Sequence, residues 1–576
     1  MSTLRRLLPY LQVYRGALIV GFFWLAATNA LALFIPWMLK MGIDAVEAGR
    51  AAELPLIAGG LAAAALVRGV TRILSRRRYL HAARWIEVDL RRDLLARLLK
   101  LEASFFDRNR TGDLLSRFTN DLANVRMLAG FGVMTLINTV LIYGFTLTML
   151  LQLSPALTAV ALLPYPLMLL IVKRLSRRLL HLSTEVQEGL GKLSEAVEEG
   201  VSGQAAIRAG GLQGVRIRDF DSLNSDYLDR NLALARLRSL MLPIMTVVGP
   251  LATLLVFFAG GGKVTAGELS LGELVAFNAY LVQLAWPTLL LGWVLTLVQR
   301  AAASMARLMA VLDAPVPPPA HSPAASPEPP ELAIRHLHFA YGGQSVLHDL
   351  SFTVSAGALV GVTGPTGAGK STLLRLLAGL YPVPPEAVWV AGEDLARLDA
   401  DAHRRRLAVV PQEGRLFSGT LRDNLLYGAA GADEARLRQI AATVCLEEET
   451  ASFANGYDTR VGEGGLTLSG GQRQRVCLGR ALAHGGELWL LDDPFSHLDA
   501  VTARTVWQQL RRQLTGKTVF LVTGRVSLLA AADQVLVMEG GRLTEAGTHR
   551  QLLESGGLYA RLAERERLRD ELEGLA

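Results

Sequence analysis

The sequence contains 576 residues, which is too many for a single hydrophobic core, so two or three domains are expected. Apolar residues make up 51% of the composition, the mean hydropathy is +0.30 and the formal net charge is +7. These values are unusual for a soluble protein, and basic residues beside apolar spans favour anionic lipid over nucleic acid as a partner. The cysteines, Cys445 and Cys477, are far apart in sequence, which argues against a disulfide framework or a zinc site.

Six segments of the N-terminal half approach the length that a helix needs to cross a bilayer. They are residues 16–39, 54–73, 128–151, 157–172, 240–259 and 271–298. The fourth is short and contains Pro164 and Pro166, so the pattern defines its ends poorly. The first follows Arg5, Arg6 and Arg15 and lacks a small-residue cleavage site, which predicts a retained anchor rather than a signal peptide.

The placement of arginine predicts the orientation of these spans. The connections 41–53 and 152–155 are short, whereas 68–126 and 173–238 are long, helical in pattern and rich in arginine. Because positive charge remains inside, both termini and both long segments are expected in the cytoplasm. The Arg-, Ala- and Leu-rich composition favours a bacterial source, and therefore the inner membrane as the location.

Several polar and aromatic side chains within the spans are candidates for lining a cavity. They are Asn29, Asn138, Thr146, Asn278, Gln283, Tyr143, Phe277, Tyr280, Trp286 and Trp293. Intramembrane polar groups often serve function, but Asn and Thr also join helices and Trp anchors span ends, so packing is favoured for each. No carboxylate pair or histidine chain lies at mid-membrane in the sequence, which argues against proton or sodium coupling.

Residues 313–330 are rich in Pro, Ala and Ser and are predicted to form an extended linker. Beyond the linker, short β-branched runs alternate with helical runs, which is typical of a doubly wound α/β domain. One apolar strand-like run is followed by a glycine-rich loop and a helix-like run. The loop reads Gly364, Pro365, Thr366, Gly367, Ala368, Gly369, Lys370, Ser371 and Thr372.

This spacing predicts a phosphate-binding loop. Its glycines let successive backbone N–H groups face one anion, and the helix N-terminus adds partial positive charge. Lys370 is expected to reach the terminal phosphates of a nucleotide, and the Ser371 hydroxyl is expected to ligate magnesium.

Further motifs follow this loop or precede it. They are Tyr341 at a strand end, Gln412 after Val-Pro, the loop 459–464, the run Leu468, Ser469, Gly470, Gly471 and Gln472, the apolar strand ending at Asp492, and residues 496–499. In order and spacing, residues 331 to about 563 resemble the nucleotide-binding domain of ABC transporters.

The resemblance implies a role for each motif. Tyr341 would stack on adenine, Gln412 would contact magnesium, and Asp492 would hold the metal's water shell. The loop 459–464 matches an exporter-specific segment, and 496–499 matches the segment that crosses the dimer interface. The run from Ser469 to Gln472 would hold a γ-phosphate in trans on a second chain, and ATP and Mg²⁺ would be the cofactors.

The membrane half is similar to exporters of the same family. Its spans and a tip near 105–117 match, and the resemblance implies that this tip and another near 199–204 dock on nucleotide domains. From the residues alone, two solvated helical hairpins that dock on no partner fit the sequence equally well. The implied fold is an α-helical six-span membrane domain (1–312), a linker (313–330), an α/β P-loop ABC ATPase domain (331–563) and a charged C-terminal helix (564–576).

Two positions depart from the family pattern. Asp493 stands where the family carries Glu to polarise the attacking water, and Gly524 stands where it carries His. Aspartate is shorter by one methylene, so its carboxylate falls about 1 Å or more short, and glycine offers no group to the γ-phosphate. Loss of such a group typically costs about two to four powers of ten in rate. The site is therefore predicted to hold Mg-ATP and hydrolyse it poorly.

One chain carries one set of each part, whereas the family works with two. The intact signature run can complete a site on another subunit, so we predict a heterodimer whose second subunit carries Glu and His at the two positions. The chain would export a hydrophobic or amphipathic substrate (multidrug, lipid or peptide) with hydrolysis mainly at the partner's site. It resembles the degenerate-site subunits of heterodimeric bacterial multidrug exporters, a group similar to the peptide transporters of antigen processing.

Other interpretations remain open from sequence. They are a homodimeric lipid or drug flippase, a nucleotide-gated channel or regulator on the same fold, and a membrane protein whose ATPase half has decayed. A soluble ABC ATPase would have no need of six apolar spans. The tail 561–573 alternates acidic and basic residues around leucines, and both a solvated helix and a helix that pairs with the partner fit it.

Overall fold

The computed structural model describes residues 2–316, 328–429, 431–462 and 468–575. Most of the predicted linker, 317–327, lies outside the described residues, as do 463 and 464 of the predicted exporter-specific loop. The chain forms two compact units. The first comprises Met1–Lys100 and Asn109–Ala314, and the second comprises Leu101–Arg108 and Pro315–Ala576.

The first unit is built from long helices. Among the described residues, five are long and apolar enough to cross a membrane: Arg15–Glu47, Ala51–Leu98, Thr111–Leu153, Gln213–Thr265 and Leu271–Leu312. The second of these opens with a 3-10 turn before its α-helical part, Leu54–Leu98. The third contains two π-helical turns, Arg117–Asp121 and Leu128–Gly132. The other helices of this unit are Ser2–Arg5, Leu8–Val13, Pro155–Leu162, Pro164–Ser202 and Gln204–Ala209.

The fourth predicted span, 157–172, differs from the other five. It is divided between the helices Pro155–Leu162 and Pro164–Ser202, and its apolar run Pro155–Leu167 is shorter than a full crossing. The division has a local cause, because Pro164 has no N–H to donate and is suited to the first position of a new helix. The predicted tip near 199–204 lies where that second helix ends and Gln204–Ala209 begins.

Polar side chains join the helices of the first unit. Asn29 Nδ2 donates to Asn138 Oδ1 at 3.0 Å, and the Tyr280 hydroxyl donates to the Leu33 carbonyl at 2.7 Å. The Ser270 hydroxyl caps the last long helix, and its Glu273 also accepts a 2.9 Å bond from Lys40. These contacts agree with a helix-packing role for Asn29, Asn138 and Tyr280.

The second unit contains three sheets within its described residues. The largest has the strand order β12-β11-β3-β10-β9-β6, a smaller one has the order β2-β1-β4-β5, and β7 pairs with β8. The strands are β1 Leu332–Tyr341, β2 Gln344–Val354, β3 Leu359–Thr363, β4 Val388–Val390, β5 Glu393–Asp394, β6 Leu407–Val410, β7 Gly419–Thr420, β8 Arg460–Val461, β9 Leu488–Asp492, β10 Thr518–Val522, β11 Gln534–Glu539 and β12 Arg542–Gly547.

Helices flank these strands. They are Ala103–Arg108, Lys370–Leu377, Ala400–Arg405, Leu421–Leu425, Glu434–Thr443, Glu447–Ser452, Gly470–His484, Ala500–Gln513, His549–Glu554 and Leu558–Leu575. In the large sheet, β3, β6, β9, β10 and β11 run parallel, whereas β12 is antiparallel to β11. The parallel strands β9 and β10 are buried along their whole length, as expected for a sheet covered on both faces.

The parallel arrangement positions the predicted nucleotide residues. Ligands of open α/β sheets bind beyond the carboxyl ends of the strands. The glycine-rich loop follows β3, the two aspartates lie where β9 ends, and Gly524 comes shortly after β10. Neighbouring parallel strands therefore bring three separate sequence segments to one edge.

The C-terminal helix starts earlier than the predicted 564–576. It spans Leu558–Leu575, and its first turns belong to the core of the second unit, since Tyr559 is fully buried and Leu562 packs on the same cluster. Further along, the Glu566 carboxylate accepts bonds from the Ser527 backbone N–H at 3.1 Å and the Ser527 hydroxyl at 2.6 Å. The part of the helix from Tyr559 to Glu566 therefore packs on and hydrogen-bonds to the second unit.

Candidate nucleotide-binding site

A cavity of about 360 Å³ opens at the carboxyl edge of the large sheet. Its lining brings together most of the predicted nucleotide residues. They are Gly364, Thr366, Gly367, Ala368, Gly369, Lys370, Ser371, Thr372, Gln412, Asp492, Asp493 and Gly524, joined by Val346, Val522 and Thr523. Pro365, Tyr341 and the run Ser469–Gln472 are not part of this lining.

The loop between β3 and the helix Lys370–Leu377 has a backbone that glycine alone suits. Gly364 has a φ of 141°, and a Cβ added there would lie 2.0 Å from the Met538 carbonyl oxygen. Gly369 has a φ of 92°, and its added Cβ would lie 2.5 Å from the Leu347 side chain. The loop is therefore folded tightly over β11 and β2, in the form of a backbone cradle suited to an anion.

Lys370 supplies the cation of the cavity. Its Nζ donates to the carbonyl oxygens of Gly364 and Pro365, both at 2.8 Å. Because an ammonium has three protons, one remains for a ligand. Burial lowers the pKa of Lys370, and the charges of Asp493 and Asp492 act in the opposite direction. This lysine thus holds the loop closed on itself while keeping a donor toward the cavity.

Ser371 and Asp492 form the oxygen-rich side of the cavity. The Ser371 hydroxyl donates to Asp492 Oδ1 at 2.9 Å. Burial raises the pKa of Asp492, and the bond from Ser371 partly offsets that rise. Gln412 adds an amide from another segment of the lining. Hydroxyl, carboxylate and amide oxygens are the donors that magnesium prefers, so the residues fit a magnesium ion beside a phosphate cradle.

Asp493 lies next to this group in a strained backbone. Its φ is 44°, and its N–H donates to the Val522 carbonyl at 2.8 Å, which ties the end of β9 to β10. The Thr523 hydroxyl makes a long contact of 3.5 Å to Asp493 Oδ1. Burial, followed by the neighbouring charge of Asp492, raises the pKa of Asp493. The carboxylate is therefore held in the cavity as a weakened acid.

Gly524 leaves an open space in the lining. A Cβ added to Gly524 would meet no atom within 4 Å, and its φ lies outside the left-handed region. Neither space nor backbone conformation requires glycine at this position.

Tyr341 belongs to an aromatic cluster beside the cavity. Its ring packs edge-on against Phe339 at 4.8 Å and Tyr381 at 5.2 Å, and its hydroxyl donates to Thr372 Oγ1 at 3.4 Å. The Tyr381 hydroxyl donates to Asp107 Oδ2 at 2.8 Å. Sequence reasoning missed Tyr381, and no signal could have found it, because its partner is 274 residues away in the chain.

The signature run opens a different helix, Gly470–His484. The Ser469 hydroxyl accepts from the Gln472 N–H at 3.2 Å, and the Gln472 side chain accepts from the Ser469 N–H at 2.9 Å. This reciprocal capping box fixes the start of the helix. A Cβ on Gly471 would lie 2.9 Å from the His497 carbonyl, so the helix start packs on the segment 496–499. The run is thus well formed but separate from the cavity of its own chain.

Comparison with protein families gives two matches. Residues 18–288 match the model of the ABC transporter transmembrane region, and residues 347–496 match the ABC transporter model. A probable multidrug resistance ABC transporter ATP-binding/permease protein, YheI of Bacillus subtilis, is 34% identical over 98% of each chain. The multidrug resistance-like protein MdlA of Escherichia coli is 33% identical over 86% of this chain and 84% of its own.

Two further comparisons extend these matches. A fatty acid ABC transporter ATP-binding/permease protein of Mycobacterium bovis is 31% identical, covering 90% of this chain and 81% of its own. The solved structure of a bacterial Atm1-family ABC exporter with ATP bound has a TM-score of 0.81 and 26% identity, covering 96% of this chain and 99% of its own. The fold of both units is therefore shared with a solved exporter.

Proposed function

Because this chain belongs to the ABC transporter family and fuses a multi-span membrane domain to an ABC ATPase domain, we propose that it is one subunit of a heterodimeric exporter. ATP drives transport in this family, and the chain would move a hydrophobic or amphipathic substrate out of the bacterial cytoplasm across the inner membrane. In the proposed dimer, this chain's own cavity is the weak ATP site and its signature run completes the strong one.

The nucleotide roles rest on the cavity at the sheet edge. The cradle of Gly364 to Gly369 would hold phosphates through backbone N–H groups, and Lys370 would donate to the terminal phosphates. Ser371, Gln412 and Asp492 would hold magnesium, directly or through water. Magnesium, when bound, supplies positive charge that neutralises the phosphate oxygens. Tyr341 would offer its ring to the adenine.

The observation that carries the proposal is the pairing of this complete cradle with an incomplete hydrolytic pair. Asp493 lies in the cavity with its carboxylate raised in pKa, and Gly524 contributes no side chain although the space would accept one. A short acid and a missing donor leave the attacking water poorly oriented. Ground-state binding of the nucleotide depends on other residues and would survive.

The separation of the signature run supports a second subunit. Ser469 and Gln472 cap one helix and lie outside the lining of the cavity, so a γ-phosphate bound at this chain's loop would need a signature run from another chain. Reciprocally, this chain's Ser469, Gly470 and Gly471 would face the nucleotide of the partner. If the partner carries Glu and His, that site would hydrolyse ATP and reset the cycle.

The homodimeric flippase is the second candidate, and the position of Asp493 favours it. The carboxylate lines the cavity, where it would serve as a general base for an attacking water. In a homodimer both sites would then turn over slowly with Asp493 alone. The two candidates differ in the activity of the isolated chain.

Phosphate release by the purified full-length chain in lipid nanodiscs tests the proposal. We expect saturable Mg-ATP binding that Lys370→Ala abolishes, together with turnover about two to four powers of ten below that of the chain mixed with its partner. Asp493→Asn, which is similar in shape, should leave both binding and this residual rate nearly unchanged. Brisk phosphate release by the chain alone, lost in Asp493→Asn with binding retained, would instead establish the homodimer.

A further inference from the structure

The first unit contains a cavity of about 330 Å³ that is lined by side chains of four of its long helices. Helix Leu54–Leu98 contributes a row of arginines to the lining: Arg68, Arg72 and Arg76. These residues are four apart in sequence and therefore lie on one face of the helix. No acidic residue belongs to the described lining, so one wall of the cavity is strongly cationic.

The charges of this row are not balanced by the protein. In the described parts of the chain, no carboxylate pairs with the three arginines, and the Arg68 Nε is buried without a hydrogen-bond partner. Further along the same helix the situation is the opposite. Glu87 pairs there with Arg84 at 3.3 Å and Arg91 at 2.9 Å. Within the described residues, the helix thus pairs arginines near Glu87 and leaves those of the cavity, like the neighbouring Arg77 and Arg78, without a carboxylate partner.

The cavity also has an apolar and aromatic part. Leu25, Phe131, Met134, Trp286 and Leu290 line it. Neutral polar groups belong to the lining too, among them the Asn29–Asn138 pair and Gln283, whose Oε1 is buried with its acceptor capacity unused. A ligand that satisfies the charged, polar and apolar side chains of this lining combines an anionic group and polar atoms with an apolar body.

We propose that this cavity binds an anionic amphiphile, with its carboxylate or phosphate head at Arg68, Arg72 and Arg76 and its apolar part against Phe131 and Trp286. The inference rests on the proposed exporter function and narrows its substrate class. Guanidinium groups hold carboxylate and phosphate by paired hydrogen bonds, and a bound anion would also supply the partner that the buried Arg68 Nε lacks. Neutral and cationic drugs fit the row poorly.

Photolabelling of the full-length chain in zwitterionic nanodiscs tests this assignment without nucleotide. Three diazirine probes with the same acyl chain would be compared: a fatty acid, a lysophosphatidate and a fatty amine. We expect the two anionic probes to label residues of the cavity and the amine to label them at least about tenfold less, since a lost charge-assisted bond is worth roughly that factor. Whichever of the two anionic probes labels the cavity more strongly identifies the preferred head group, carboxylate or phosphate.

Matched double variants isolate the arginine row. Arg72→Gln with Arg76→Gln should reduce anionic labelling of the cavity about tenfold or more, whereas Arg77→Gln with Arg78→Gln removes the same charge from adjacent positions outside the lining and should leave it unchanged. Equal labelling by the amine, equal labelling of both variants, or labelling confined to lipid-facing positions would overturn the inference. ATP-dependent transport is measured separately on the chain together with its partner subunit, so cavity labelling without transport in that preparation would refute the proposed exporter function and leave the proposed binding site standing.

Discussion

Introducing the Glu and His that the proposed function assigns to the partner subunit, at positions 493 and 524, is the sharpest perturbation that the nucleotide unit allows. We predict that Asp493→Glu combined with Gly524→His raises the ATP turnover of the chain by about 100- to 10,000-fold. At about 1.36 kcal/mol per factor of ten, this corresponds to roughly 2.7 to 5.5 kcal/mol of transition-state stabilisation. The lengthened carboxylate would reach the attacking water, and the imidazole would supply a donor to the γ-phosphate.

The structure indicates that both changes are tolerated. A Cβ at Gly524 meets no atom within 4 Å and its φ suits an L-residue, so the backbone accepts a side chain at this position. Glutamate at position 493 must adopt a φ of 44°, which costs on the order of 1 kcal/mol more than aspartate there. This cost is small beside the typical stability of a domain, about 5–15 kcal/mol.

The assay is phosphate release at saturating Mg-ATP, performed on protein that light scattering shows to be dimeric. Gly524→Ala with Asp493→Glu adds a Cβ without a hydrogen-bond donor and should give a much smaller rise. Adding Lys370→Ala to the active double variant should abolish the gain. If the double variant binds Mg-ATP as a dimer and its turnover stays at the original level, the assignment of Asp493 and Gly524 as the defect is refuted.

Three further predictions follow from single residues. Gly369→Ala should weaken Mg-ATP binding at least about tenfold, because its φ of 92° and crowded surroundings exclude a Cβ; equal affinity in isothermal titration would contradict the cradle. Tyr381→Phe removes the hydrogen bond to Asp107 and should lower the free energy of unfolding by about 1.5–3 kcal/mol, with Tyr341→Phe as control. An unchanged midpoint of chemical denaturation would argue against that hydrogen bond. Burial lowers the pKa of His403 in the folded unit, so protonation of this histidine favours unfolding. The contribution of His403 to the free energy of unfolding is therefore full above about pH 6.5 and decreases as the pH falls below that value. His403→Gln should flatten the melting-temperature profile in this acidic range.

Much of the nucleotide site follows from local sequence patterns. The glycine-rich loop, Asp492 and Gly524 each lie at or shortly after the end of an apolar strand, and the parallel order of β3, β9 and β10 brings these strand ends together. The motif spacing therefore predicts the chemistry without knowledge of distances. Whether Gly524 has room for a side chain cannot be derived in this way, because the answer depends on atoms from other segments.

Features that depend on packing between distant segments could not be predicted from the sequence. The bond between Tyr381 and Asp107 joins segments that no periodicity relates, and the early start of the C-terminal helix depends on a core pocket for Tyr559. The spacing of Arg68, Arg72 and Arg76 in the sequence already indicates that they share one face of a helix. Only the packing of four helices determines that this face lines a cavity instead of lipid.

The tie between Glu566 and Ser527 has a practical consequence for anyone trimming this protein. Ser527 lies three residues after Gly524, so the tail braces the stretch that follows Gly524 in the cavity lining. Cutting the chain back to a boundary near 563 would discard that brace while leaving every nucleotide motif intact. Measurements on truncated protein would then reflect a loosened segment around Ser527. Affinity tags are better attached after the intact C-terminal helix.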